Sequence, residues 1–258
     1  MEQTLTHEEI ARQLDAAALT ASPMQQLSEQ QVIDLDAAYE IQRLLVQRRV
    51  DRGNHLTGIK MGFTSVAKME QMGVHDMIWG RLTSDMAIAE DGALSLSSFL
   101  HPRAEPEIAF RLSKDINHEL GLAELDDYVD GVAAAIEVID SRYRNFKFSL
   151  SDVVADNCSS SAYAVAGWQK PTRDIDHLAM AMWFDDEKVA EGSSADILGD
   201  PWKSLQAATR LASAYNEPLK AGYIVLAGAA TVATLLQQGR RVRVEVDRLG
   251  GTSFRVLA

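Results

Sequence analysis

The segment His101-Pro-Arg-Ala-Glu-Pro-Glu-Ile-Ala-Phe110 sets Glu105 and Glu107 two residues apart in a run that reads as a strand. Alternate residues of a strand face the same side, so the two carboxylates point together. Like charges this close repel unless a cation sits between them or one carboxyl keeps its proton. A divalent metal is the simplest such cation. A third glutamate, Glu137, interrupts Ala134-Ala-Ile-Glu-Val-Ile-Asp140, a run apolar on both sides, as a fully buried strand would be. A lone carboxylate there is costly unless it is paired or bound to metal. Three glutamates on neighbouring strands would form a hard oxygen site, suited to Mg²⁺ or Mn²⁺ rather than to zinc. The competing reading is a solvated Glu-x-Glu face neutralised by Arg103 or Arg142.

Other chemistry-bearing residues are ambiguous by themselves. Lys60 lies in Gly58-Ile-Lys-Met, an apolar strand pattern, and lysine avoids interiors unless paired; a surface-facing lysine and a structural ion pair are equally consistent with that. Ser159 belongs to Asn157-Cys-Ser-Ser-Ser161, where turn chemistry is the plain expectation. Cys158 reads as a small packed residue and His101 as a strand-start histidine with an ordinary hydrogen bond. Neither the Walker A phosphate loop nor the dinucleotide fingerprint is present.

These residues need a frame. Thr6-His-Glu-Glu9 predicts a capping box opening a helix through Ile10, Leu14 and Ala18. A second helix is expected over 36–52, from the period of Ala37, Ile41, Leu44 and Leu45, with a polar connector between the two. Gly58–Phe63 reads as a strand, Ser65–Met72 as a short helix, and 201–215 as a helix with proline in its first turn. Strands are expected at 104–112, 133–140, 162–168, 180–184, 223–226, 242–246 and 253–257. The pattern is neither βαβ alternation nor a bundle. It predicts an α+β fold, with an N-terminal helical cap (1–75) on a mixed, largely antiparallel β-body (76–258), in one compact unit.

Composition sets bounds. The 258 residues are 47% hydrophobic, enough for a sizeable core. Acidic residues outnumber basic ones by 37 to 25, which argues against binding nucleic acid or anionic membrane. One cysteine allows no intrachain disulfide. The acidic start MEQTLTHEEI is unlike a secretory leader, and 223–236 is too short and interrupted to span a bilayer, so a cytoplasmic location is expected.

Four blocks carry a resemblance across nearly the whole chain: Gly58-Ile-Lys-Met-Gly-Phe-Thr-Ser65, His101-Pro-Arg-Ala-Glu-Pro-Glu-Ile-Ala109, Glu137-Val-Ile-Asp-Ser-Arg142 and Val154-Ala-Asp-Asn-Cys-Ser159. The sequence resembles the metal-dependent decarboxylases and hydratases of aromatic meta-cleavage catabolism, within the fumarylacetoacetate-hydrolase-like superfamily. The words Glu137–Phe148 and Met69–Val74 look most similar to 4-oxalocrotonate decarboxylases. The related vinylpyruvate hydratases share the glutamates and Lys60.

The resemblance implies metal ligands at Glu105, Glu107 and Glu137, a functional lysine at Lys60 and an active-site serine at Ser159. It implies Mg²⁺ or Mn²⁺ as cofactor, a small anionic 2-oxo acid as substrate, self-association, and association with a companion hydratase or decarboxylase. Decarboxylation of a 2-oxo-3-enedioate is the activity expected, with hydration of 2-hydroxypentadienoate as the alternative. Under this reading Lys60 is either a proton donor or an anion anchor. Two loops depart from the family pattern: Gly228-Ala-Ala-Thr231 stands where Gly-Gly-x-Thr is usual, and Leu198-Gly-Asp-Pro201 where Leu-Gly-His-Pro is usual. Both are expected near the substrate.

Overall fold

The structure, a computed structural model, describes residues 4–65, 69–70 and 75–258. The helix expected over Ser65–Met72 and the word Met69–Val74 fall largely outside them. Helix α1 (His7–Leu19) opens with the predicted capping box: the Glu9 N–H donates to Thr6 Oγ1 at 3.2 Å, and the Thr6 N–H to Glu9 Oε2 at 2.8 Å. Helix α2 (Leu35–Asp51) is capped by Asp34. The two helices are tied by Asp15 of α1, which accepts from Arg48 and Arg52 around the end of α2.

The chain then enters strands β1 (Leu56–Gly62), β2 (Ile78–Thr83), β3 (Ala93–Ser95), β4 (Arg103–Leu112) and β5 (Val129–Ile139). Helix α3 (Leu150–Ala155) leads to β6 (Ser160–Val165), β7 (Ala179–Phe184) and β8 (Glu187–Ser193). Helix α4 (Pro201–Ala214) precedes β9 (Ile224–Ala229), β10 (Thr234–Leu235), β11 (Arg241–Val246) and β12 (Gly250–Leu257). Among the described residues, the larger sheet has the order β2-β1-β9-β4-β5-β6, with β10 paired to β4; the smaller has the order β3-β12-β11-β7-β8. Of the strand pairs among the described residues, only β1–β9 and β3–β12 are parallel, so the largely antiparallel α+β expectation holds.

The larger sheet curls on itself. The segment leaving β2 bridges β6, with the Ile88 N–H donating to the Tyr163 carbonyl at 2.8 Å. A curled sheet has an outside and an inside, and side chains alternate between them. Ile108, Phe110, Ile136 and Val138 point outward into the main core, where Phe110 packs on Trp202 of α4 with ring centroids 4.8 Å apart. Burying side chains of this size stabilises by roughly 1.5–3 kcal/mol each. Ala109, Ala135, Tyr163, Leu226, Leu82 and Met86 make a separate apolar plug on the inner side. The inner residues next along β4 and β5 are Glu107, Glu105 and Glu137. A register slip of one residue would drive all three into the apolar core, so the same alternation that builds the core fixes the carboxylates.

Candidate metal centre

Glu105 stands directly opposite Glu137 in the β4–β5 pairing, and Glu107 stands opposite Ala135 of β5 and Ala229 of β9. The small partners leave room above Glu107. The three residues offer carboxylate oxygens within 4.8 Å of one another, and all three are buried. One oxygen of Glu107, Oε2, accepts the Gly228 N–H at 2.7 Å. Gly228 has φ +112°, and a Cβ there would meet Thr64 Oγ1 at 2.1 Å, so only glycine brings this N–H to the carboxylate. The other oxygen, Oε1, is buried without a hydrogen-bond partner, as is Oε1 of Glu137.

Lys60 reaches the same spot from β1 across the curled interior. Its Nζ lies 2.8 Å from Glu137 Oε2, an ion pair rather than an aligned hydrogen bond, and donates to the Cys158 carbonyl at 3.4 Å. The lysine is therefore the buried ion pair of the two open readings, not a surface residue. Burial alone would lower its pKa, but Glu137, Glu107 and Glu105 hold it above the ordinary lysine value, and it is charged. The carboxyls respond oppositely. Burial, then the charge of Glu137, pushes Glu107 well above the usual carboxylate range; burial also raises Glu137, with Lys60 opposing it. Three carboxylates against one ammonium leave an excess of two negative charges when all are ionised. Orphaned buried oxygens, all-oxygen donors and that excess together fit a hard divalent cation such as Mg²⁺ or Mn²⁺. Glu105, Glu107 and Glu137 could hold it.

Ser159 arrives by an unusual turn. Asn157, Cys158 and Ser159 all take left-handed φ, at 51°, 52° and 58°. Such residues cost of order 1–3 kcal/mol each unless the surroundings enforce them. Asn157 supplies the enforcement: its Oδ1 accepts the Arg81 N–H at 2.7 Å and its Nδ2 donates to the Arg81 carbonyl at 2.9 Å, so it is sewn onto β2. Gln42 of α2 braces the same region by donating to the carbonyls of Trp79 and Val154 and accepting from Arg81. The result turns the Cys158 carbonyl toward Lys60 and leaves Ser159 Oγ buried, without a hydrogen-bond partner, on the cavity wall. Burial pushes the Cys158 thiol up to about 12, which makes it an inert packed residue.

The cavity above the carboxylates has a volume of 280 Å³. Lys60, Glu105 and Ser159 lie at its polar end, while Ile78, Ile139, Phe146, Phe148 and Val153 form apolar walls. From sequence, Phe146 and Phe148 have no site role, and Asn157, like Ser159, stands between turn chemistry and a site role; the signals are the aromatic spacing in Arg144-Asn-Phe-Lys-Phe148 and an asparagine able to take left-handed φ. A larger groove of 1120 Å³ crosses β7, β8, β11 and β12. Charged residues there pair with one another, Lys188 with Glu191 and Arg243 with Glu245, and among the described residues no carboxylates converge there as they do at the site.

The remaining candidates are placed as follows. Arg142 does not neutralise the glutamates; it turns away to Asp156. His101 is not at the cluster: its backbone N–H donates to Asp140 Oδ1 at 2.8 Å and its ring lies against Phe146. The Gly228–Thr231 loop is at the site through Gly228 and the cavity-lining Ala229. The second departing loop is one step removed. Asp200 caps α4 by accepting the Trp202 N–H at 2.9 Å, and the Leu198 N–H donates to the Thr64 carbonyl behind the cavity wall.

Residues 57–257 match the family described as "Fumarylacetoacetate (FAA) hydrolase C-terminal". A 4-oxalocrotonate decarboxylase from Pseudomonas sp is 51% identical over 245 residues, covering 95% of this chain and 96% of that protein. A 2-keto-4-pentenoate hydratase from Dechloromonas aromatica is 34% identical, covering 95% of each. The solved 4-oxalocrotonate decarboxylase from Pseudomonas putida G7, complexed with magnesium and adipate, superposes with a TM-score of 0.93 at 32% identity, covering 99% of this chain and 100% of that one. The chain belongs to the fumarylacetoacetate hydrolase family.

Proposed function

We propose that this member of the fumarylacetoacetate hydrolase family decarboxylates a 2-oxo-3-enedioate of the 4-oxalocrotonate type, giving 2-hydroxy-2,4-pentadienoate and CO₂. The observation that carries the reading is the three-carboxylate cluster opening into a narrow, mostly apolar cavity. The 51% identity to a 4-oxalocrotonate decarboxylase over almost the full length supports it, as does the six-carbon dicarboxylate, adipate, held with magnesium by the structural relative.

In this reading Glu105, Glu107 and Glu137 hold the divalent cation. When bound, the cation supplies the Lewis acid that draws charge toward the C2 oxygen of the substrate. The chain's own residues do the rest. The apolar walls keep the conjugated segment planar and exclude water. The bond from C5 to the distal carboxylate breaks, its electrons form a C4–C5 double bond, the C3–C4 double bond moves to C2–C3, and the C2 oxygen takes the charge and then a proton. Lys60 places a charged ammonium beside that end of the cavity, where it holds or delivers this proton. Ser159 Oγ, free of other hydrogen bonds, is positioned to bind a substrate oxygen. The reading includes association with a companion hydratase, which would consume the product.

Incubating the purified protein and Mg²⁺ with 4-oxalocrotonate tests this. CO₂ release with formation of the dienol supports decarboxylation. No release, with 4-hydroxy-2-oxopentanoate formed from 2-hydroxypentadienoate, would establish the hydratase instead.

A further inference from the structure

We propose that Arg103 is the anchor for the carboxylate farthest from the metal ligands, and that it sets the preference for dicarboxylate over monocarboxylate 2-oxo acids. The proposal rests on the decarboxylase reading, which requires a substrate with a second carboxylate. Residues 103, 105 and 107 alternate along β4 and so share one face. The pairing with β5 says the same: Arg103 stands opposite Ile139 as Glu105 stands opposite Glu137, and Ile139 lines the cavity. The Arg103 guanidinium carbon lies 5.0 Å from the ring centroid of Phe146, which lines the cavity as well. The side chain is thus held against the wall of the slot, on the face that carries the glutamates.

Its partners are missing in a telling way. Arg103 Nε is buried and makes no hydrogen bond, and the guanidinium forms no ion pair among the described residues. The two arginines that are buried, Arg81 and Arg142, are both satisfied, Arg81 by Glu217 and Gln42, and Arg142 by Asp156. A partly buried guanidinium without an anion is an unmet cost, and its planar fork matches a carboxylate.

Spacing identifies the anion. Two residues along a strand span roughly 6.7 Å. A six-carbon chain has five bonds between its terminal carbons, one fewer than two extended residues of backbone, hence roughly 6 Å. With one end at the glutamate-held metal, the other carboxylate falls beside the residue two positions earlier on β4. Between the ends, Ile139 and Phe146 offer no polar group, so among the described residues a distal carboxylate has Arg103 as its cation. Lys60 is already engaged by Glu137 at the opposite end.

The test compares wild type with Arg103→Met, which keeps the apolar stem over Phe146, and with Arg103→Lys. Three quantities are measured: Mg²⁺ affinity, Mg²⁺-dependent binding of the inert pair 2-oxoadipate and 2-oxohexanoate, and KM and kcat for 4-oxalocrotonate. Arg103→Met should weaken 2-oxoadipate about 10- to 100-fold, the range for loss of a charged hydrogen-bonded pair. Binding of 2-oxohexanoate and Mg²⁺ should stay within about 2-fold, and KM should rise far more than kcat falls. Arg103→Lys should recover part of the loss. Equal weakening of both analogues, or a shift confined to Mg²⁺ affinity, overturns the proposal and makes Arg103 a counter-charge for the glutamates. Wild type releasing no CO₂ from 4-oxalocrotonate overturns the decarboxylase reading itself, a separate readout that removes the need for a distal anchor.

Discussion

Replacing Glu107 with glutamine should make the metal-free protein more stable while abolishing its response to Mg²⁺. Glu107 is fully buried, and its oxygens lie within 4.8 Å of those of Glu105 and Glu137. At that separation two unit charges repel by about 3.5 kcal/mol at an effective dielectric constant of 20. The Lys60 ammonium offsets part of this, and burial raises the Glu107 carboxyl, so protonation relieves part of the rest. Glutamine keeps the shape. Its carbonyl oxygen can accept the Gly228 N–H as Oε2 does now, and its amide brings a donor into a cluster where Glu137 Oε1 has none. A net gain of roughly 1–3 kcal/mol is expected, the usual scale for relieving buried charge. For a chain of this size that raises Tm by about 2–4 °C per kcal/mol. Wild type gains stability from bound metal instead, about 2.7 kcal/mol at 100 times Kd. The signature is therefore a crossing: the variant melts higher in EDTA, and wild type regains or exceeds it in saturating Mg²⁺. Thermal and urea unfolding in both conditions measure it. A variant less stable than wild type in EDTA, or equally stabilised by Mg²⁺, would refute the reasoning that Glu107 is a strained metal ligand.

Asn157→Ala should cost about 2–6 kcal/mol, because it leaves the buried N–H and carbonyl of Arg81 unpaired at about 1–3 kcal/mol each. Catalytic activity should fall about 100-fold, since the Lys60 and Ser159 contacts depend on the same turn; urea unfolding and steady-state kinetics check both. Asp15→Asn should destabilise by about 1–2 kcal/mol at neutral pH, a figure discounted because Arg48 and Arg52 are 42% and 37% exposed. Burial alone would raise the Asp15 carboxyl, but Arg52 and Arg48 more than reverse this and hold it below its ordinary value. A depressed folded value means the stabilisation is complete above the unfolded carboxylate pKa and is lost as pH falls through the folded one. Unfolding curves of wild type and variant should therefore converge in acid and separate on approach to neutrality.

The part of the site written in strand periodicity was legible. Glu105 and Glu107 two apart, and Glu137 inside an apolar run, need only the alternation of a strand and the cost of a buried charge to be recognised as a cluster. The strands missed, β2, β3, β8 and β10, are those whose sequence lacks a run of β-branched residues or that span two or three positions. Ile78-Trp-Gly-Arg-Leu-Thr83 is buried throughout despite carrying Gly80 and Arg81. Its glycine is required by the close approach of the Asn157 carbonyl, 2.6 Å from where a Cβ would be, and its arginine by Glu217 and Gln42. Those partners lie 136 and 39 residues away, so no local pattern announces them. The same holds for Lys60: its strand was readable, but its pairing with Glu137 depends on how far the sheet curls.

The curl also explains why strain and charge are concentrated in one place. In a flat sheet, β1 and β5 would be separated by two intervening strands, about 14 Å apart at 4.8 Å per strand, and a lysine on one could not meet a glutamate on the other. Curling brings them together at the price of a crowded interior, which the chain relieves with small residues, Ala109 of β4, Gly228 and Ala229 of β9, and Ala135 of β5. Space made this way is filled by the plug of Leu82, Met86, Tyr163 and Leu226 or, one layer up, holds the carboxylates and the cavity above them. The boundary between those layers falls between Ala109 and Glu107, a single step of the strand period. An Ala135→Leu substitution would push the plug across that boundary. It should displace Glu107 from its Gly228 contact and lower Mg²⁺ affinity before it unfolds the protein, because the plug is isolated from the main core by the sheet itself. Mg²⁺ titration of this variant under conditions where its circular dichroism matches wild type is the check; unchanged affinity would mean that the carboxylate layer is positioned independently of the plug beneath it.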